Sequence, residues 1–340
     1  MASDPGGLQG RVESMLARYR AWPRHFRLAL ERGLEASPDL EPRAIVVCGM
    51  GTSAAAGEHL AAVLGEAGSP VPVLVERSFE PPAWLGGRDL VVAVSYSGST
   101  WETLECARRA AAHGAALAAV TAGGELLSMA RRGGWPLARV EPGEYGRTSM
   151  AYLMGALAGL LSRPSGAPGE VERLAGHMLD ALEDAEVDEA RAPAEAIAGA
   201  DAVFAVACGG LAPAARRWRT ELGENTKITA RDDVYPESGH NDVVALQVKP
   251  GFRAAAVILR DPDNATCGIV LEAAEQMYRE AGVSTVQIDL PGPSLAYKLA
   301  RSAILAGYAS TLAAGLRGVD PHETPNLARY KEGVKGRLEA

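Results

Sequence analysis

The 340-residue sequence has only four cysteines, Cys48, Cys106, Cys208 and Cys267, and no C-x-x-C pair among them. Such wide spacing indicates neither a zinc site nor a disulfide framework, and a reducing, cytoplasmic setting is the default expectation. Positive charge is also scarce: 34 Lys and Arg stand against 42 Asp and Glu, for a net charge of -8. No basic cluster exceeds the pairs Arg108-Arg109, Arg131-Arg132 and Arg216-Arg217. The concentrated positive face that a nucleic acid requires is missing, so no nucleic-acid partner is expected. The N-terminal stretch lacks the apolar core of a signal peptide. The two most apolar runs, Ser149–Ser162 and Ser302–Leu316, fall short of the roughly 20 residues of a membrane-spanning helix and read as buried helices, so no membrane partner is expected. The six histidines show no H-x-x-x-H type spacing, and no metal and no cofactor are expected.

What the sequence does contain is alternation. Short apolar or β-branched runs, Ala44–Val47, Val71–Val75, Leu90–Val94, Ala116–Thr121 and Leu137–Val140, are separated by helical patterns. This rhythm predicts a parallel sheet with helices on both faces. It lapses between about Arg163 and Ala200, where RPSGAPGEVERL marks a domain boundary, and then resumes. Ala202–Ala207, Thr226–Ala230, Ala254–Leu259 and Thr285–Leu290 read as strands, with helices at 211–222, 241–246 and 265–281. The chain is a doubled α/β unit, closest to internal repetition at IVVCGMGTSAAAGEHL and AVFAVACGGLAPAARRW. Only the first half carries a Ser-rich loop, which suggests one anion site per chain.

That loop lies in VVAVSYSGSTWETLECARRA, where Ser95, Ser97, Gly98, Ser99 and Thr100 join a buried strand to a helix. Hydroxyls and free backbone N–H groups at a helix N-terminus bind anions. Without a lysine or a G-x-x-x-x-G-K-[ST] pattern, the loop suits the monophosphate of a small molecule, a sugar phosphate above all. The alternative is that these residues simply cap the helix. Gly49-Met50-Gly51-Thr52-Ser53 opens a helix in the same way. Its G-x-G also permits a dinucleotide reading, which leaves the Ser-rich loop unexplained.

Together, G-M-G-T-S and S-Y-S-G-S-T-W-E-T resemble the two phosphosugar-binding loops of sugar isomerase (SIS) domains. Further along, ELGENTKITARDDVYPESGHNDVVAL resembles the E-N-x-K…P-E…H-N-[ED] signature of the bifunctional phosphoglucose/phosphomannose isomerases, and GVDPHETPNLARYK is similar to that family's C-terminal ending. The resemblance spans about Arg43 to Lys331. It implies two SIS-type, flavodoxin-like, three-layer α/β/α domains with mainly parallel sheets. Their expected limits are 41–163 and 199–318, preceded by a helical segment (1–40), joined by a helical linker (164–198) and followed by a tail (319–340) that returns to the active site.

The same resemblance implies an aldose–ketose isomerase that interconverts glucose 6-phosphate and fructose 6-phosphate, and also mannose 6-phosphate. Position by position it makes Glu224 the base that moves a proton between C1 and C2, and His240 the ring-opening group, supplied to the neighbouring subunit of a homodimer. It makes Arg147 the stabiliser of the enediolate and places Lys331 near the ring oxygen. Ser95, Ser97 and Thr100 hold the phosphate, Gly51, Thr52 and Ser53 line the substrate, and Thr324 bears on acceptance of both C2 epimers.

The residue types suit the chemistry. Proton transfer between adjacent carbons needs a carboxylate, here expected to be buried so that its pKa rises toward neutrality. Imidazole suits ring opening near pH 7, and a guanidinium stabilises developing oxyanion charge without a metal. Each also has a plainer reading. Glu224 could belong to a surface ion-pair set with Glu221 and Lys227, His240 could be a helix-start residue, and Arg147 could pair with Glu141 or Glu144. An isomerase of another amino-sugar or ketose phosphate, and a non-catalytic sugar-phosphate sensor, are the rival functions.

Overall fold

The computed structural model describes residues 7–338, so the first six residues of the expected N-terminal segment and the last two of the tail lie outside the described residues. Two helices open the chain, α1 (Leu8–Arg20) and α2 (Trp22–Ala36). The first α/β unit follows: β1 (Ile45–Gly49), α3 (Thr52–Glu66), β2 (Val73–Glu76), β3 (Leu90–Val94), α4 (Trp101–Ala112), β4 (Ala116–Thr121), α5 (Gly124–Gly133) and β5 (Leu137–Arg139). Helices α6 (Met150–Leu160), α7 (Pro168–Glu183) and α8 (Arg191–Ala198) lead to the second unit. It comprises β6 (Ala202–Cys208), α9 (Ala212–Glu221), β7 (Thr229–Tyr235), β8 (Ala254–Arg260), α10 (Ala265–Glu280), β9 (Ser284–Asp289), α11 (Leu295–Leu316) and α12 (Pro325–Leu338).

Both sheets are wholly parallel, in the orders β2-β1-β3-β4-β5 and β7-β6-β8-β9. In β1 and β3 every residue is buried, as a strand covered by helices on both faces must be. Each sheet reverses its strand order between its first strand and a neighbour, β1 with β3 and β6 with β8. In open α/β sheets ligands bind in the crevice at the carboxyl ends of such a pair.

Helix α6, buried along its whole length, packs on α2 at very close range. A Cβ placed on Gly155 or Gly159 would lie 2.4 Å from the carbonyl oxygen of Phe26 or of Leu30, so only glycine allows the approach. Leu153, Leu157 and Leu160 fill the space beside it, and each fully buried side chain contributes about 1.5–3 kcal/mol.

Four expectations need correction. The strand expected at Thr226–Ala230 starts at Thr229 and runs to Tyr235, because the preceding helix continues as one π-turn over Leu222–Thr226. The helix expected at 241–246 is a 3-10 segment, Asp242–Gln247. The apolar run at 302–316 belongs to the 22-residue α11, long and apolar enough to cross a membrane by length and composition, but packed mostly inside the protein. Finally, Cys208 and Cys267 form a disulfide although 59 residues separate them. The parallel topology brings them together: β6 ends beside β8, α10 starts just after β8, and the two Cα atoms stand 5.6 Å apart.

Candidate active site

The loops that follow β1 and β3 meet at the first sheet's switch point, where Gly49 is in register with Val94. Gly98 turns the second loop with φ +66°, and a Cβ there would run into the backbone of Gly123. The hydroxyls converge: Ser95 Oγ lies 2.9 Å from Thr100 Oγ1 and 3.5 Å from Ser97 Oγ. Ser95 Oγ also accepts from the Gly98 amide, and Ser97 Oγ from the Ser99 amide. The capping alternative fails, because no side chain caps α4 at Thr100, which leaves the N-terminal amides of that helix without a side-chain cap. Gly51 begins α3 likewise without a side-chain cap, with Thr52 and Ser53 buried behind it.

The equivalent end of the second sheet is cross-linked and capped instead of lined by hydroxyls. The Cys208–Cys267 disulfide crosses it, Asn264 caps α10 by accepting from the Cys267 amide, and the buried Lys298 ammonium bonds Asp261 (2.6 Å) and Asp263 (2.7 Å).

Tyr96, which the sequence reading passed over, links the serine loop to the segment leading to Arg147: its hydroxyl donates to Glu141 O (2.8 Å) and accepts from the Glu144 amide (2.9 Å). Arg147 is 3% exposed and stacks over the Tyr145 ring at 5.1 Å. It pairs with neither Glu141 nor Glu144. Its Nε donates to Asn225 Oδ1 (2.7 Å), Nη1 to Glu224 Oε2 (3.3 Å), and Nη2 to the carbonyls of Pro321 and His322. The tail thus reaches the site through its backbone.

Glu224 stands in the π-turn, an irregularity often found where function requires a side chain off the regular helical path. It belongs to no surface ion-pair set, although at 31% exposure beside Arg147 it is less enclosed than the sequence suggested. Lys227 ends the turn in the left-handed region at φ 56°, unusual for a residue with a side chain. Its ammonium offsets that conformation by donating to the carbonyls of Glu224 (2.8 Å), Asn225 (3.2 Å) and Asp320 (2.7 Å). Burial and the nearby Arg147 guanidinium both lower the Lys227 pKa.

Beneath this layer lies a group that the sequence presented only as a basic pair and a helical repeat. Arg217, fully buried, donates to Thr52 Oγ1 (3.1 Å) and Arg147 O (2.8 Å) and pairs with the fully buried Glu221. Burial pulls the Arg217 pKa down to about 10, which leaves it charged at neutral pH. Tyr19 of α1 donates to Glu221 Oε2 at 2.7 Å.

The structure therefore pairs Arg147 with Glu224, ties Thr52 to the Arg147 backbone through Arg217, and links the serine loop to the segment before Arg147 through Tyr96. His240 stands apart from the pair, whereas Thr324 follows two residues after His322, whose carbonyl Arg147 bonds, and Lys331 lies further along α12. His240 follows β7 while Glu224 precedes it, so a seven-residue strand, roughly 20 Å at 3.2–3.4 Å per residue, separates them within one chain. Thr324 starts α12, accepting from the Leu327 amide at its backbone oxygen, and Lys331 is exposed on that helix. Among the described residues, no three His, Cys, Asp or Glu side chains cluster as a metal site would require.

Two parallel sheets with a hydroxyl-lined switch point in the first define a protein of two SIS domains. Family models match accordingly: the SIS domain at residues 40–132 and the bacterial phospho-glucose isomerase C-terminal SIS domain at 186–334. The fold is similar to that of a hypothetical protein from Thermus thermophilus, with a TM-score of 0.73 at 19% identity over 98% of this chain and 95% of that one. The sequence is 36% identical over 326 residues to the bifunctional phosphoglucose/phosphomannose isomerase of Aeropyrum pernix, covering 92% of this chain and 96% of that protein. It is 26% identical over 317 residues to the D-glucosamine-6-phosphate 4-epimerase of Sulfolobus acidocaldarius, covering 92% and 96%. The chain belongs to the bifunctional phosphoglucose/phosphomannose isomerase family.

Proposed function

We propose that this protein interconverts fructose 6-phosphate with glucose 6-phosphate and mannose 6-phosphate through a cis-enediolate. The observation that carries the reading is the Arg147–Glu224 pair, in a chain that also presents an uncapped, hydroxyl-lined start of α4 joined to the Arg147 segment through Tyr96. Ser95, Ser97, Thr100 and the α4 amides hold the 6-phosphate. Glu224 takes the proton from one of C1 and C2 and returns it to the other, while the Arg147 guanidinium stabilises charge on O1 and O2. Rotation about C2–C3 before reprotonation gives the second epimer.

Ring opening is assigned to His240 of a second copy of this chain. Its position at the far end of β7 from Glu224 supports that assignment, because it is out of reach of its own chain's base. The surface around it supports a homodimer: Val244 and Val248 on the segment after His240, Phe252, and Ile269 of α10 are all exposed apolar side chains.

The test is a coupled assay with fructose 6-phosphate and EDTA present, following glucose 6-phosphate and mannose 6-phosphate separately and offering glucosamine 6-phosphate in parallel. Both hexose products are expected and no change of the amino sugar. One product alone narrows the activity to a single epimer, and conversion of the amino sugar alone refutes the proposal. A second expectation concerns assembly. Glu224→Gln and His240→Ala, each inactive alone, regain about a quarter of wild-type activity when their subunits are exchanged in equal amounts, since half the dimers are mixed and each mixed dimer has one intact site. Absence of any recovery after verified subunit exchange would place His240 in its own chain's site or outside catalysis.

A further inference from the structure

Asn225 sits at the junction between the catalytic pair and the buried ion pair behind it, and it is fully buried. Its Nδ2 faces three oxygens: Glu221 Oε2 (3.0 Å), Tyr19 Oη (3.1 Å) and Ser310 Oγ (2.8 Å). Its Oδ1 accepts from Arg147 Nε at 2.7 Å. An amide can be turned either way, and the neighbours decide which. A carboxylate only accepts, so Glu221, charged because Arg217 is bonded to it, requires the NH2 end. The carbonyl end is thereby left for Arg147, whose Nε–H needs an acceptor. Arg217 also holds the Arg147 backbone carbonyl at 2.8 Å, so one buried ion pair controls that residue at its main chain and, through the amide, at its side chain.

We propose that Asn225 is a positioning residue for the isomerisation: Glu221 and Arg217 orient its amide, and the amide holds the Nε edge of Arg147 so that the Nη1 edge faces Glu224 and the reacting oxygens. This rests on the isomerase reading above and assigns Asn225 no contact with substrate. A guanidinium stabilises an enediolate only as well as it is aimed, so loss of the amide should act on the chemical step rather than on phosphate binding.

Asn225→Ala is expected to lower kcat by about 100-fold and to change KM for fructose 6-phosphate by less than about threefold, the phosphate being held from the other unit. Asn225→Asp distinguishes orientation from packing. Protonated, the new carboxyl has a hydroxyl to donate to Glu221 and a carbonyl to accept from Arg147, as the amide does. Burial and the Glu221 carboxylate favour the protonated form, whereas Arg147 and the Arg217 behind Glu221 favour the ionised one. The ionised form loses the hydroxyl donor to Glu221 and the amide-like aim of Arg147. Activity relative to wild type should therefore rise as pH falls. A pH profile parallel to wild type, or a kcat within threefold of it for Asn225→Ala, overturns the proposal.

Binding of arabinonate 5-phosphate, whose carboxylate copies the charge of the enediolate, gives a readout independent of turnover. Asn225→Ala should bind it at least tenfold more weakly by calorimetry, and unchanged affinity overturns the proposal. Should the wild type bind this aldonate but convert no hexose phosphate, the substrate assignment fails while this ratio still decides the role of Asn225.

Discussion

Glu224→Gln should reduce kcat with fructose 6-phosphate by about 1,000-fold and leave KM within about threefold, the loss expected when a positioned base is removed. Gln is close in shape to Glu, and its amide oxygen can still accept from Arg147 Nη1, so the 3.3 Å contact and the π-turn survive. What disappears is the basic oxygen. In the proposed reading, substrate is held by the hydroxyls between β3 and α4, which is why affinity and turnover should part company. Exchange of the C2 proton of glucose 6-phosphate with D2O, followed by NMR, measures the step itself and should fall in proportion. A kcat within tenfold of wild type, or exchange at an undiminished rate, would assign proton transfer to another group.

The second large effect is on stability. The double variant Cys208→Ser, Cys267→Ser should unfold more easily by about 4 kcal/mol, the chain-entropy value for a cross-link closing a loop of about 60 residues. Tyr235, Leu271 and Tyr278 pack in the same buried cluster as the two sulfurs, so the region that loosens is the outer face of the second sheet. Denaturant midpoints of the wild type and the variant under oxidising conditions measure the difference. Thiol titration of the unreduced, denatured wild type should find two thiols, Cys48 and Cys106. Four thiols, or equal midpoints, would contradict the bond.

The parts of this molecule that were legible beforehand are those in which sequence-local patterns decide. Strands β3 and β4 lie within the residues expected, because an uninterrupted apolar run between turn residues has one comfortable place in a parallel sheet. β7 was misjudged for the complementary reason. TARDDVY is an edge strand whose polar side chains pair with Arg216, Arg219 and Tyr278, and its signal is weaker than that of the helix that overruns toward it. Arg217 and Glu221 sit four apart, a spacing that on most helices is a solvated ion pair. Only the insertion of α9 between the units buries them, and that is a property of the tertiary arrangement. The plainer reading of Arg147, a pair with Glu144, fails in the same way: Glu144, near in sequence, is engaged by Arg18 and Thr148, whereas Glu224 is 77 residues away. The cysteines repeat the lesson, since sequence distance says little when strand ends converge.

The bond network around Arg217 has a consequence for how the chain comes apart. The duplicated α/β plan suggests two halves able to melt independently. Yet Arg217 belongs to the second half, and two of its partners, the Thr52 hydroxyl and the Arg147 carbonyl, belong to the first. Separating the halves would break both of those hydrogen bonds from a charged donor, each worth about 1.5–3 kcal/mol, while the Arg217–Glu221 pair stays within α9. Opening of one half is therefore coupled to the other through those two bonds. A single calorimetric transition is expected, with equal calorimetric and van't Hoff enthalpies, and two resolved transitions would show the coupling to be weak. The plan is repeated, but the expected melting is that of one thermodynamic body.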